Sequence, residues 1–420
     1  MRASEAAILQ NSALRFSIWT GMWVLNHGQL ARPPVYSATG FRDGARAYLA
    51  RVLMSRYPLC EEAPLTVARK KIGFIGSGAI ACYIGAFLAR DGHDVTLIDG
   101  WPEQIDKIKA DGISATGPHE PFNQKVRALH INEAQSLSPG DEFDIGFVAM
   151  KAYDTRWAGA FIDRFVRPEG YIVASQNCWT DGVLAEAVGE GRAVGMIMSG
   201  ISVAVWEPGK VERGAEKTGR ELGHDVFRAG EHDGSITPRT EELAEIMSIV
   251  DGSFATDNLF GERWTKLCQN ASGNPVQAMT LQGGIDVVST ARGRQITIML
   301  LNECAKVGLA AGFKLANIRG VSAEKWASAD QGDVYEELDD MLVPSGSGGI
   351  NWKSSMAQDI TKGRRSETEF MNGFVAETGR KAGVATPVTD AVIEVMAAID
   401  AKQLDASPDN IELTLRKAGL

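Results

Sequence analysis

The chain has 420 residues, enough for two or three domains with a large core, and its 44% hydrophobic and 23% charged residues are ordinary for a soluble globular protein. A net charge of −10 argues against a surface that tracks nucleic-acid phosphates, and no apolar run approaches the roughly 18–20 residues of a membrane span. The five cysteines (Cys60, Cys82, Cys178, Cys268, Cys304) form no C-x-x-C and the six histidines form no H-x-x-x-H pair, which excludes an obvious disulfide framework or metal site and suits a reducing cytoplasm.

The first 70 residues differ in charge from the rest. They carry nine basic and four acidic residues, so the remaining 350 carry −15. The apolar piece "FSIWTGMWVL" is short and lacks a small-residue cleavage site, and the arginine bias faintly resembles a transit peptide. The expectation for residues 1–69 is a poorly ordered extension, or an upstream start read in error with the working protein beginning near Met54.

Residues 70–100, "KKIGFIGSGAIACYIGAFLARDGHDVTLIDG", predict strand, tight turn, helix and strand. The turn is Gly76-Ser77-Gly78-Ala79-Ile80-Ala81, a G-x-G-x-x-A fingerprint in the context that gives it meaning. Gly76 permits the turn, Gly78 lets a pyrophosphate approach the helix N-terminus, and Ala81 takes a third position that tolerates glycine or alanine. Asp99 ends the second strand, 23 residues after Gly76. A carboxylate there bonds both ribose hydroxyls of NAD and repels the 2′-phosphate of NADP, so NADH is favoured; the other reading of Asp99 is a turn or helix-start residue.

Further strands are expected to end near Met150 and Ser175, followed by Lys151 and by Gln176-Asn177. Ligands of open α/β sheets gather at such strand ends, so Lys151 and Asn177 are candidates for the nicotinamide side; polar residues after strands are also common in loops. Residues 193–257 predict more strands around a Pro208-Gly209 turn and a helix from about Pro238 to Gly252, completing an α/β domain over residues 70–257.

From Asn258 to the C-terminus helical periodicity takes over, with a loop-rich insertion near 322–350. In "RWTKLCQNASGNP" Trp264, Leu267, Cys268 and Ala271 form an apolar stripe, while Lys266, Asn270 and Asn274 share another face. That row is either a solvated face or the wall of a cleft. Asparagine is a poor helix former and Pro275 disturbs the preceding turn, which both point to a shaped pocket. In "SSMAQDITKGRRSETEFMNG" the spacing predicts capping boxes Ser355–Gln358 and Ser366–Glu369, with Glu367 in a first helical turn. Capping accounts for these residues without any catalysis.

Taken together, the turn at 76–81, "MKAYDT" at 150–155, "QN" at 176–177, "RWTKLCQNASGNP", and "SSMAQDITKGRRSETEFMNG" followed by "GVATP" resemble the ketopantoate reductases (2-dehydropantoate 2-reductases), NADPH-dependent enzymes of pantothenate synthesis. The resemblance covers about residues 70–400 and implies a Rossmann domain followed by an all-helical domain, with the active site between them. It implies that Lys266 protonates the carbonyl oxygen and that Glu367 holds substrate and supports that lysine. Asn270 and Asn274 would line the substrate cleft, Ser355 would contact the substrate carboxylate, and Gly76, Gly78, Lys151 and Asn177 would lie on the cofactor side. The expected partner is a small anionic 2-oxo acid; a homodimer is compatible with it, and nucleic acid, membrane and metal are not expected.

This chain departs from the family pattern at Asp99, where no arginine follows, and at Cys178, which replaces the glycine of Gln-Asn-Gly and adds a side chain near cofactor or substrate. The departures keep two other functions open: an NAD-dependent dehydrogenase of another hydroxy acid in a catabolic pathway, and a non-catalytic dinucleotide sensor. An opine-type enzyme is disfavoured because no histidine follows His232.

Overall fold

The computed structural model describes residues 17–19, 22–24, 68–217, 225–344 and 351–420. The chain divides into two compact units, Met1–Thr66 and Val67–Leu420. In the first unit Ser17–Trp19 pairs antiparallel with Met22–Val24. The expected N-terminal extension otherwise lies outside the described residues.

The second unit opens on a parallel sheet. Strand β1 (Lys71–Ile75) pairs with β2 (Asp94–Asp99) through helix α1 (Ala79–Asp91), which stops at Gly92 in a left-handed conformation. Helix α2 (Pro102–Asp111) has Pro102 at its first position and leads to β3 (Ile113–Thr116), β4 (Phe122–Gln124) and β5 (Arg127–His130). Then come β6 (Phe143–Val148), α3 (Thr155–Asp163), β7 (Val166–Ala174), α4 (Asp181–Val188) and β8 (Ala193–Met198). The hairpin β9 (Val203–Glu207) and β10 (Lys210–Arg213) turns at Pro208-Gly209, as the sequence predicts. Strand β11 (Phe227–Gly230), helix α5 (Pro238–Ser248) and β12 (Ser253–Ala255) follow.

Among the described residues the main sheet has eight strands in the order β12-β11-β8-β7-β6-β1-β2-β5, parallel except where β8 meets β11. Its core strands are near-continuous apolar runs because both faces are covered. A second sheet, β9-β10-β3-β4, was not foreseen as a separate layer. It joins strands about 90 residues apart in sequence and buries Tyr83 and Phe87 of α1 against Ile113, Ala115, Val205 and Val211. Pairing over that distance leaves no local signal.

The remaining chain is helical: α6 (Leu259–Thr280), α7 (Gly284–Ser289), α8 (Ala291–Ala310), α9 (Ala323–Ala327), α10 (Gly332–Leu342), α11 (Ser355–Thr361), α12 (Thr368–Ala382), α13 (Pro387–Asp400) and α14 (Asn410–Lys417). The stretch expected to be loop-rich near 322–350 is helical in α9 and α10. Trp326, Leu338 and Leu342 anchor it in the core, and its charge hid that periodicity; residues 345–350 lie outside the described residues. The predicted stripe of Trp264, Leu267, Cys268 and Ala271 is fully buried in the same core.

Helix α6 runs straight through Pro275. Proline has no N–H to give the carbonyl of Ala271 four residues earlier. The buried side chain of Asn372 supplies the missing donor, its Nδ2 bonding the Ala271 oxygen at 3.0 Å. Asn372→Ala should therefore cost about 1–3 kcal/mol in a denaturant titration, the penalty for an orphaned buried acceptor. Adding Pro275→Ala, which restores the helical N–H, should recover part of that loss.

Candidate functional site

A cavity of about 490 Å³ opens at the carboxyl ends of the parallel strands, between the sheet and the helical half. Its lining contains Gly76, Gly78, Ala79, Ile80, Asp99, Lys151, Asn177, Lys266, Asn270, Asn274, Ser355 and Glu367. Residues spread over almost 300 positions of sequence thus converge on one space. Ser77 and Ala81 are the two candidates that do not line it; both are fully buried behind the turn.

The glycine turn has two different physical requirements. Gly76 has φ +108°, and a Cβ there would lie 2.7 Å from the Ala149 carbonyl oxygen, so only glycine closes this turn. Gly78 caps α1 with ordinary φ and a Cβ would meet nothing, because the space beyond it is the cavity. The first turn of α1 holds no acidic residue, so its amides present an uncompensated positive end. That cradle fits the pyrophosphate of a dinucleotide. Asp99 is already engaged: its Oδ2 accepts from Ser77 N–H at 2.5 Å and Ser77 Oγ–H at 2.8 Å, and its Oδ1 from Trp101 N–H at 3.0 Å. The carboxylate stiffens the turn while still facing the cavity.

Lys266 sits half-buried on α6. Burial, then the nearby charges of Arg228 and Arg263, pull its pKa down to about 8. Among the described residues its ammonium has no carboxylate partner. Arg263 is held by Asp181 (Nη2 to Oδ1, 2.6 Å) and reaches the carbonyls of Gln176 and Met196, both at 3.3 Å. Arg228 pairs with Glu262 at 2.7 Å. One turn beyond Lys266, Asn270 donates to Asn177 Oδ1 at 3.3 Å, which ties α6 to the end of β7.

The second lysine behaves oppositely. Lys151 pairs with Asp359 and with Glu367, the latter at 3.1 Å. Burial disfavours its charge, but the two carboxylates outweigh burial and hold its pKa above the usual lysine value. Burial likewise raises the Asp359 carboxyl, against the pull of Lys151. Glu367 also accepts from the Ala152 N–H at 2.8 Å. Its carboxylate is therefore bonded to Lys151 and Ala152, where the resemblance had led us to expect support for Lys266.

The local capping differs from the sequence expectation by small shifts. Ser354, not Ser355, caps α11, accepting from Ala357 N–H. Ser355 is thereby free of the cap, and it lines the cavity. Glu367 is the residue before α12 rather than in its first turn, and Ser366 bonds Asp400 (Oγ to Oδ2, 2.6 Å) instead of forming a box with Glu369. Adjacent serines offer no sequence cue to which one caps, and Asp400 is distant in the chain.

Cys178 has φ +69°, in the left-handed region that glycine prefers. Its side chain is buried in the helical core with Ala152 and Trp264 and is absent from the cavity lining. Cys178 therefore does not stand in the cavity beside cofactor or substrate, where the sequence places it.

Trp352, Asp359 and Arg364 line the cavity without having been singled out. Arg364 lies 5.5 Å from the ring centroid of Trp101, beside Asp99 in the same lining. Asp359 and Arg364 lie inside the "SSMAQDITKGRR" motif, but nothing in their spacing shows that they face a cleft.

Comparison with known proteins adds to this geometry. Residues 72–223 match the family described as "Ketopantoate reductase PanE/ApbA", and residues 258–400 match "Ketopantoate reductase PanE/ApbA C terminal". The 2-dehydropantoate 2-reductase of Lactococcus lactis is 24% identical over 349 residues, covering 78% of this chain and 96% of that one. A PanE/ApbA family ketopantoate reductase from Ralstonia eutropha JMP134 superposes with a TM-score of 0.63 at 22% identity, covering 79% of this chain and 99% of that one. D-mandelate dehydrogenase, solved with NADH and anilino(oxo)acetate, gives 0.64 at 20% identity, covering 79% and 98%.

Proposed function

This chain belongs to the ketopantoate reductase family, an oxidoreductase of the 2-dehydropantoate 2-reductase type that takes a nicotinamide dinucleotide, and on that premise we propose that it reduces a small 2-oxo acid to the 2-hydroxy acid with Lys266 as proton donor. The observation that carries the proposal is Lys266 itself: an ammonium with no carboxylate partner among the described residues, its pKa drawn down to about 8, in the same cavity as the glycine turn.

A nicotinamide dinucleotide held here would supply the hydride for the carbonyl carbon. Negative charge then grows on the carbonyl oxygen, and Lys266 stabilises it and delivers its proton there. Gly76 and Gly78 with the first amides of α1 would hold the dinucleotide's pyrophosphate. Asn270 and Asn274 bond the substrate's oxygens without adding charge, and Ser355 donates to its carboxylate. Lys151, fixed by Asp359 and Glu367, keeps a second cation at the rim of the site. We also propose that the chain assembles as a homodimer, as the dimeric ketopantoate reductase of Staphylococcus aureus does. Among the described residues no helix is long and apolar enough to cross a membrane.

We read the preferred cofactor as NADH, because Asp99 places a negative charge where NADP carries its 2′-phosphate. Asp99→Asn should lower the NADH-to-NADPH ratio of kcat/KM about tenfold, the worth of one charge-assisted hydrogen bond. A second reading rests on Arg364: carried in from the helical half, it offers the cation that does not follow Asp99 in sequence. Wild-type protein assayed with both cofactors decides. A strong preference for NADPH, lost selectively in Arg364→Ala, would replace the Asp99 reading with the Arg364 one. Clear NADH binding with no turnover of ketopantoate or any acid of a 2-oxo acid panel would favour the sensor.

A further inference from the structure

A second cavity, of about 300 Å³, adjoins the candidate active site. Among the described residues Trp352 is the only one that lines both this cavity and the candidate active site. The two spaces are neighbours around α6. Asn270 and Asn274 face the first, while Gly273 and Gln277, one row further around the helix, face the second.

Trp352 is held on both flanks. Asn351 accepts from Ile285 N–H at 3.0 Å and donates to Asp286 Oδ2 at 2.6 Å. Ser354 N–H donates to Gln277 Oε1 at 2.8 Å. The indole also lies directly on Gly214, where a Cβ would come within 2.4 Å of the ring. It is a built partition rather than a loosely placed surface residue.

The space behind it has a defined chemistry. Ile285, Val287 and Val288 make one part apolar. Arg319 brings a guanidinium that has no hydrogen-bond or ion-pair partner among the described residues. Its Nη2 lies 3.8 Å from where a Cβ of Gly273 would stand, so glycine leaves the approach to it open. Arg319 is an exposed residue at the edge of this space. A guanidinium stays charged, so it offers an arriving anion a cation that no carboxylate among the described residues already holds.

Resting on the reductase reading above, we propose that Trp352 sets the length of the substrate's side chain, and that the cavity behind it is a subsite for an aliphatic chain ending in a second carboxylate, received by Arg319. With Trp352 in place the enzyme selects compact 2-oxo acids. With the indole removed the two cavities join, and 2-oxo dicarboxylic acids gain a place for their distal end. The reaction is unchanged: one hydride to the carbonyl carbon and one proton to its oxygen.

The test compares wild type, Trp352→Ala and Trp352→Ala/Arg319→Met on ketopantoate, pyruvate, 2-oxohexanoate and 2-oxoadipate. Trp352→Leu, which keeps an apolar group on Gly214, serves in place of Trp352→Ala if the latter does not fold, as judged by its melting curve. The expected result is a rise of about tenfold or more in kcat/KM for 2-oxoadipate relative to pyruvate when Trp352 is truncated. Adding Arg319→Met should remove that gain for 2-oxoadipate and retain it for the uncharged 2-oxohexanoate. Turnover of the compact acids with an unchanged length preference would overturn the inference alone. Absence of turnover on every acid, in every protein, would overturn the reductase reading and the inference together. Equal loss of both long substrates on adding Arg319→Met would overturn the role of Arg319.

Discussion

Lys266→Ala is expected to lower kcat for reduction of a 2-oxo acid by about 10²–10⁴, the range associated with a positioned proton donor. NADH binding, checked by fluorescence titration, should change little, since the glycine turn lies on another element. The pH dependence of the wild type provides an independent check. Reduction needs the protonated ammonium, and the pKa is drawn to about 8. The rate is therefore flat below that pH and falls as pH rises through it. Arg228→Gln removes a neighbouring cation that favours the neutral amine, and it leaves Glu262 without its 2.7 Å partner. Both changes raise the lysine's pKa, so the falling limb moves to higher pH. A limb that stays in place, or equal rates for wild type and Lys266→Ala, removes Lys266 from the mechanism.

The same displacement has a stability consequence. An unfolded lysine titrates near 10.4, so the folded state disfavours the ammonium by up to about 3 kcal/mol, less whatever solvent contact restores. That penalty is fully present below pH 8 and fades as pH rises towards the unfolded value. Lys266→Met is thus expected to be inactive yet to melt higher than wild type at neutral pH.

Arg263→Met should destabilise the protein by about 3–5 kcal/mol in a denaturant titration. Its partner Asp181 has a fully buried side chain, so removing the guanidinium strands a carboxylate inside the protein. Asp181→Asn added to Arg263→Met should restore part of the loss, because the amide carries no charge to strand. The effect reaches the site as well. Arg263 binds the carbonyl of Gln176, next to Asn177, and contributes to the lowered pKa of Lys266. The two arginine variants therefore shift the pH profile in the same direction, while Arg263→Met also loosens the contact between the two halves.

Much of this site was legible before any coordinates. Strand, glycine turn and helix are local patterns, and G-x-G-x-x-A between them has a physical reason at each position. The row Lys266, Asn270, Asn274 follows from helical periodicity, although periodicity alone could not tell a cleft from solvent; the ordered set of motifs made that distinction. The spacing of serines and acids near 355–369 located helix starts within a residue. It could not assign Ser354 as the cap, because Ser354 and Ser355 differ only in surroundings.

Local order along the chain was enough to determine the α/β half and the helical half, because backbone propensity and hydrophobic period act over a few residues. Everything that depends on charge at a distance waited for the folded chain. Lys151 and Lys266 are the same residue type, yet Asp359 and Glu367 raise the pKa of one while burial, Arg228 and Arg263 lower that of the other. Asn372 completes a hydrogen bond broken by a proline 97 positions earlier. Trp352 lines two cavities, one walled by both halves and one by the helical half alone, and packs on Gly214 of the α/β half. Desolvation, ion pairing and steric partition are set by which groups become neighbours, and neighbours across a cleft leave no periodic trace in sequence.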